Sequence, residues 1–180
     1  MLRMFQLWLQ TTGKTLTLPR PKGGSETRLH SNPKEMLEFR RGARKALTRS
    51  LLVRHLDVGS NNAEEAELVA LGGPLYDLAQ YGVDFTASPR HADVLAVTGP
   101  VTRQLKVALE RTYAATPNPK LVMAIGDGAC YGSAYETSYA CLGPVDQFIS
   151  VDIYVPGDPP SPRELIQAFL TCKQLLAERN

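Results

Sequence analysis

From residue 51 onward the chain alternates short, uninterrupted apolar runs with segments of helical period, and this alternation limits the possible folds more than any other feature. Leu51 to Leu56, Val83 to Thr86, Val94 to Val97, Leu121 to Ile125 and Ile149 to Val155 have the length and composition of strands. Leu121-Val-Met-Ala-Ile125 contains no polar residue, so a strand there must be covered on both faces. Helices are predicted over Glu64 to Leu71, Leu75 to Tyr81, Val101 to Tyr113 and Pro162 to Glu178, the last with proline in its opening turn. Strand and helix in turn imply an α/β fold, a doubly wound, flavodoxin-like parallel sheet.

Such sheets carry their sites in the loops beyond the carboxyl ends of the strands. Four loops qualify here: 57–64, 98–102, 126–133 and 156–162. Gly99 and Pro100, at the entry to the helix predicted from residue 101, suggest an anion-binding helix start, and Gly126-Asp-Gly128 a glycine turn. Neither the phosphate-loop pattern nor the dinucleotide glycine pattern occurs, which leaves a nucleotide site weakly supported.

Residues 1–50 have a different character. They hold 11 Lys or Arg against 3 Asp or Glu, a balance of +8, whereas residues 51–180 hold 9 against 15, a balance of −6. The predicted organisation is therefore a basic, partly extended N-terminal arm over 1–50 and an α/β domain over 51–180. Met4, Phe5 and Trp8 recur at helical spacing in an arm too poor in apolar residues for a core of its own, which marks them as partner contacts. The basic residues lack the interleaved aromatics of a nucleic-acid platform, so no nucleic-acid partner is expected. No apolar run approaches the roughly 18–20 residues that span a bilayer, and the opening apolar stretch has no small-residue cleavage site, so the expected location is cytoplasmic. Cys130, Cys141 and Cys172 form no C-x-x-C pair and read as reduced, packed thiols. His91, two residues before Asp93, reads as a structural histidine, and His30 and His55 have no partner pattern.

Four stretches carry a resemblance: His55-Leu-Asp-Val-Gly-Ser60, Ser88-Pro-Arg-His-Ala-Asp-Val-Leu-Ala-Val-Thr-Gly-Pro-Val-Thr102, Ala124-Ile-Gly-Asp127, and Val151-Asp-Ile-Tyr-Val-Pro-Gly157 followed by Pro159 and Pro160. In order and spacing they resemble the small electron-transfer subunit shared by complex I, as its 20 kDa B-type subunit, and by membrane-bound group 4 nickel-iron hydrogenases of the formate hydrogenlyase kind. In that family four cysteines, in Gly-Ser-Cys-Asn-Gly-Cys-Glu, Gly-Asp-Cys and Pro-Gly-Cys-Pro-Pro, hold a four-iron, four-sulfur cluster. The matching positions here are Asn61, Glu64, Gly128 and Asp158, none of them cysteine, although Ser60, Asn62, Glu65, Asp127, Gly157 and Pro159 around them still match.

The resemblance therefore implies a subunit with no cluster and no other cofactor, non-redox and not an enzyme alone. Its role would be to join a hydrogenase-like large subunit to the membrane arm of an ion-translocating assembly, peripheral on the inner face of the cell membrane, with the basic arm toward the headgroups. Two further readings stay open: an electron-transfer subunit whose cluster is held unusually, for instance by Cys130 with partner ligands, and a metal- or nucleotide-binding regulatory domain. Asn61, Glu64 and Asp158 either fill an emptied pocket with hydrogen bonds or offer oxygen to a hard cation. Asp57, Glu64, Asp127 and Asp158 are candidates for a buried acidic cluster relaying protons or cations. Cys141 and Cys172 are expected away from the ligand loops, and only Cys130 near them.

Overall fold

The computed structural model describes residues 25–26, 50–132 and 138–179. In chain order the elements are β1 (Ser25–Glu26), β2 (Leu51–Asp57), α1 (Ala63–Leu71), β3 (Val83–Phe85), β4 (Val94–Thr98), β5 (Val101–Thr102), α2 (Lys106–Ala115), β6 (Leu121–Ile125), α3 (Gly126–Tyr131), β7 (Cys141–Gly143), β8 (Ile153–Val155) and α4 (Pro162–Arg179). The main sheet has the order β1-β8-β6-β4-β2-β3, every pair parallel. Its five central strands follow the flavodoxin order, in which the chain starts inside the sheet, steps to one edge and then winds back across to the other.

The side chains of the central strands alternate between two cores. Val94, Ala96, Leu121, Met123 and Ile125 join Phe169 of α4 and Leu68 and Leu71 of α1 on one face. Leu95, Val97, Val122 and Ala124 join Leu109 of α2 and Ala129 and Cys130 of α3 on the other. Burial on both faces is why these strands read as unbroken apolar runs.

Local structure departs from the sequence expectations at four places. The helix expected over Leu75 to Tyr81 is only a 3₁₀ turn, Leu78–Tyr81, because Asp77 before it takes a left-handed conformation at φ 43°. The helix expected from Val101 begins at Lys106: the Thr102 and Arg103 amides are bonded instead to Val58 O and Ala140 O, and β5 pairs antiparallel with β7. Gly99 and Pro100 are therefore not at a helix start, which removes the geometric basis of an anion site there. The strand expected over Ile149 to Val155 is confined to Ile153–Val155, since the Asp152 carboxylate takes the Val122 amide at 2.8 Å in place of a ladder bond. Residues Gly126–Tyr131, read as a loop, form the one-and-a-half-turn α3. The arm contributes the two-residue strand β1 beside β8; Met4, Phe5 and Trp8 lie outside the described residues. Among the described residues no helix is long and apolar enough to cross a membrane.

Candidate functional site

The order of the sheet reverses between β2 and β4, the place where a doubly wound sheet carries its site. A cavity of about 420 Å³ lies there, and Asn61, Glu64, Gly128 and Asp158 all line it. Positions up to 97 residues apart in sequence thus meet at one place: the loop after β2, the first turn of α1, the start of α3 and the loop after β8. Ser60, Gly99 and Pro100 complete the near wall, and Ser138 and Cys141 close the far side.

The loops are fastened by protein hydrogen bonds. Asp57 Oδ1 accepts the Gly59 and Ser60 amides at 2.7 and 2.8 Å, the geometry of an Asx turn. Asn61 Oδ1 accepts the Ala63 amide at 2.9 Å, and its Nδ2 donates to Asp158 Oδ1 at 3.4 Å across the cavity mouth. Asp127 holds the loop after β8 by two bonds, its amide donating to Gly157 O and its Oδ1 accepting the Gly157 amide. Below the wall, Ser60 Oγ donates to Glu65 Oε2 at 2.7 Å, the buried Thr98 hydroxyl donates to Glu65 Oε1, and His55 Nε2 lies 2.9 Å from Thr98 Oγ1. Burial lowers the His55 pKa despite the Glu65 carboxylate nearby, so the ring is neutral at pH 7. His55 therefore has partners that its sequence context did not reveal.

Glu64 differs from the other acids. Only 3% of it is exposed, and its Oε2 is buried with no hydrogen-bond partner among the described residues. Gly126 makes room for it at φ 88°, where a Cβ would overlap Glu64 Oε1. Burial, reinforced by Glu65, Asp158 and Asp127, raises its pKa above 4.5. An acid whose pKa is raised on folding binds more protons folded than unfolded, so its contribution to stability is full at low pH and is lost as pH rises through the folded value. Urea unfolding from pH 4 upward is therefore expected to show Glu64→Gln gaining on the wild type as pH increases; parallel curves would mean that folding does not raise the Glu64 pKa.

Of the acids expected to form a buried cluster, only Glu64 is buried; Asp57 and Asp158 are exposed, and Asp57 and Asp127 are engaged by backbone amides. Cys130 and Cys172 are packed thiols as expected, and Cys141 is not where the sequence placed it. Cys130 turns into the core, its thiol 3.6 Å from Ala124 O and its pKa pushed up by burial, whereas Cys141 lines the cavity because β7 pairs with β5. Cys172 is buried in the α4 core.

The four corners thus carry an amide, two carboxylates and a glycine, and one thiol stands in the wall. A Cβ on Gly128 would lie 2.8 Å from Pro100 Cδ and 3.1 Å from Pro100 N, so a side chain at the third corner requires Pro100 to shift. This donor set does not suit a four-iron, four-sulfur cluster, which needs thiolates.

The model of the family described as "NADH ubiquinone oxidoreductase, 20 Kd subunit" matches residues 62–172. A probable membrane-bound hydrogenase subunit, mbhJ, of Pyrococcus furiosus is 40% identical over 134 residues, which cover 74% of this chain and 80% of that protein. Formate hydrogenlyase subunit 7 of Escherichia coli is 34% identical over 75% of this chain and 53% of its own length. Among solved structures, a chain of the membrane-bound sulfane sulfur reductase, an archaeal respiratory membrane complex, superposes with a TM-score of 0.59 at 28% identity over 76% of this chain and 74% of that one.

Proposed function

We propose that this chain, which belongs to the NADH ubiquinone oxidoreductase 20 kDa subunit family, serves as a non-redox structural subunit of a membrane-associated complex of the complex I or membrane-bound hydrogenase type. In this reading it joins a hydrogenase-like large subunit to the membrane arm, peripheral on the cytoplasmic face, and the basic arm over 1–50 contacts headgroups and partner surfaces through Met4, Phe5 and Trp8. The observation that carries the reading is the convergence of Asn61, Glu64, Gly128 and Asp158, none of them a thiol, on one cavity. A frame kept intact around lost electron chemistry is what an architectural subunit retains.

Ion coupling is part of the proposal. Glu64 is the member of the acidic group able to hold a proton away from water, with Asp158 at the cavity mouth, Asp127 behind and Asp57 at the loop base. The pH slope expected for Glu64 is the first requirement of such a relay.

The experiment is to express the full chain in iron-replete cells, purify it without oxygen, and measure iron and the visible spectrum. The expected result is substoichiometric iron and no broad thiolate-to-iron absorption. About four iron atoms per chain with that absorption would overturn the non-redox reading in favour of an unusually held cluster. Cys141 would then be the thiol to examine, since Cys130 faces the core.

A further inference from the structure

We infer that in the isolated chain the N-terminal arm folds back onto the corner between α1 and β3, where Phe5 and Trp8 enter an apolar cavity. The corner itself is the first support. A cavity of about 450 Å³ is walled by Leu68 and Val69 of α1, by Phe85 at the end of β3 and by Ala87 just beyond it. Val69 is 78% exposed and Phe85 39%. Isolated exposed apolar side chains are ordinary, whereas two on the rim of a cavity large enough for a small organic molecule mark a surface that is covered in use.

Charge selects the occupant. Residues 63–87, which run from α1 through β3 to Ala87, carry Glu64, Glu65, Glu67, Asp77 and Asp84 and no Lys, Arg or His. Residues 1–24 carry Arg3, Lys14, Arg20 and Lys22 and no Asp or Glu. The arm's bulky apolar residues Met4, Phe5 and Trp8 recur at the spacing by which a helical segment anchors in a groove. One placement of the arm therefore covers the apolar rim and brings opposite charges together.

The register of the sheet shows that the arm can reach. Ser25 pairs with Ile153, Ile153 with Met123, Met123 with Ala96 and Ala96 with His55, in one row across the sheet. His55 lines the cavity, and four strand spacings of about 4.8 Å place it roughly 19 Å from Ser25. Residues 9–24 span up to about 50 Å when extended, enough to carry Trp8 past α4 and α1, which cover that face. This docking belongs to the chain by itself and does not depend on the assembly role proposed above; headgroups and partner surfaces compete for the same side chains once a complex forms.

Trp8 is the chain's only tryptophan, so its fluorescence reports its surroundings directly. In the purified full chain, without lipid, its emission is expected to be blue-shifted from that of an indole in water and protected from iodide quenching. Val69→Glu and Phe85→Glu, each placing a charge on the rim, are expected to abolish both effects. Val107→Glu, at a half-exposed apolar position of α2 on the opposite face of the sheet, is expected to leave them unchanged. Val69 is largely bare, so its variant keeps the test open even where Phe85→Glu disturbs the packing of Phe169. A water-like emission from the wild type overturns the docking, and so does a blue shift indifferent to Val69→Glu, which places Trp8 elsewhere. A blue shift that fades on dilution assigns the corner to the arm of a second copy and overturns it as well.

Discussion

Alanine at Gly99 is expected to cost about 4 kcal/mol or more, enough to unfold an ordinary domain of marginal stability. Two independent effects add. Gly99 has φ 75°, a left-handed conformation that disfavours a side chain, and a Cβ there would overlap Ser60 N and lie 2.6 Å from Gly59 C. These are backbone atoms of the neighbouring loop and cannot swing aside as a flexible side chain does. The loops after β2 and β4 touch main chain to main chain at this point, so relief of the clash requires the crevice itself to open. Urea unfolding measures the loss, and Gly72→Ala is the control: at φ −76°, with its nearest contact at 3.4 Å, it is expected to change stability by less than about 1 kcal/mol. A Gly99→Ala chain as stable as the control would show that the two loops are not packed as described.

The second large effect is expected at Phe169. Its ring is fully buried where α4 crosses the sheet and meets Phe85 edge-on at 6.1 Å between centroids. Truncation to alanine removes a buried ring and leaves a cavity that backbone strands cannot collapse to fill, at about 3–5 kcal/mol. Phe85 also lines an apolar cavity of about 450 Å³ beside α1, together with Arg54, His55 and Leu68, so release of its ring alters that wall as well. Phe169→Leu, which keeps much of the volume, is expected to recover about half of the loss. Thermal unfolding of the two variants separates a volume effect from an unrelated one: equal losses for leucine and alanine would deny the packing role.

What the residues disclosed in advance follows from the range of the interactions involved. The central strands were legible because burial on both faces writes an unbroken apolar run, as in Leu121 to Ile125. The convergence of Asn61, Glu64, Gly128 and Asp158 was legible because parallel strands send all their carboxyl-end loops to one side. The start of α2 was not, because Thr102 and Arg103 bond to groups supplied by Val58 and Ala140, which no local pattern announces. The same pairing carries Cys141 into the cavity wall, and a thiol that sequence proximity would place far away arrives there through β7. Cys130, close in sequence to the third corner, turns inward because α3 presents that side to the core. Proximity along the chain misled for Cys141, since the pairing of a short strand is set by tertiary contacts.

The hydrogen bonds of Asp57, Asn61 and Asp127 have a consequence for how the molecule comes into being. Domains whose loops are drawn together by metal remain open until the metal arrives, and chelators undo them. Here carboxylates and an amide of the chain draw the same loops together. On the non-redox reading proposed above, such a scaffold reaches its finished shape without waiting for a delivery factor, and iron starvation is expected to leave that shape untouched.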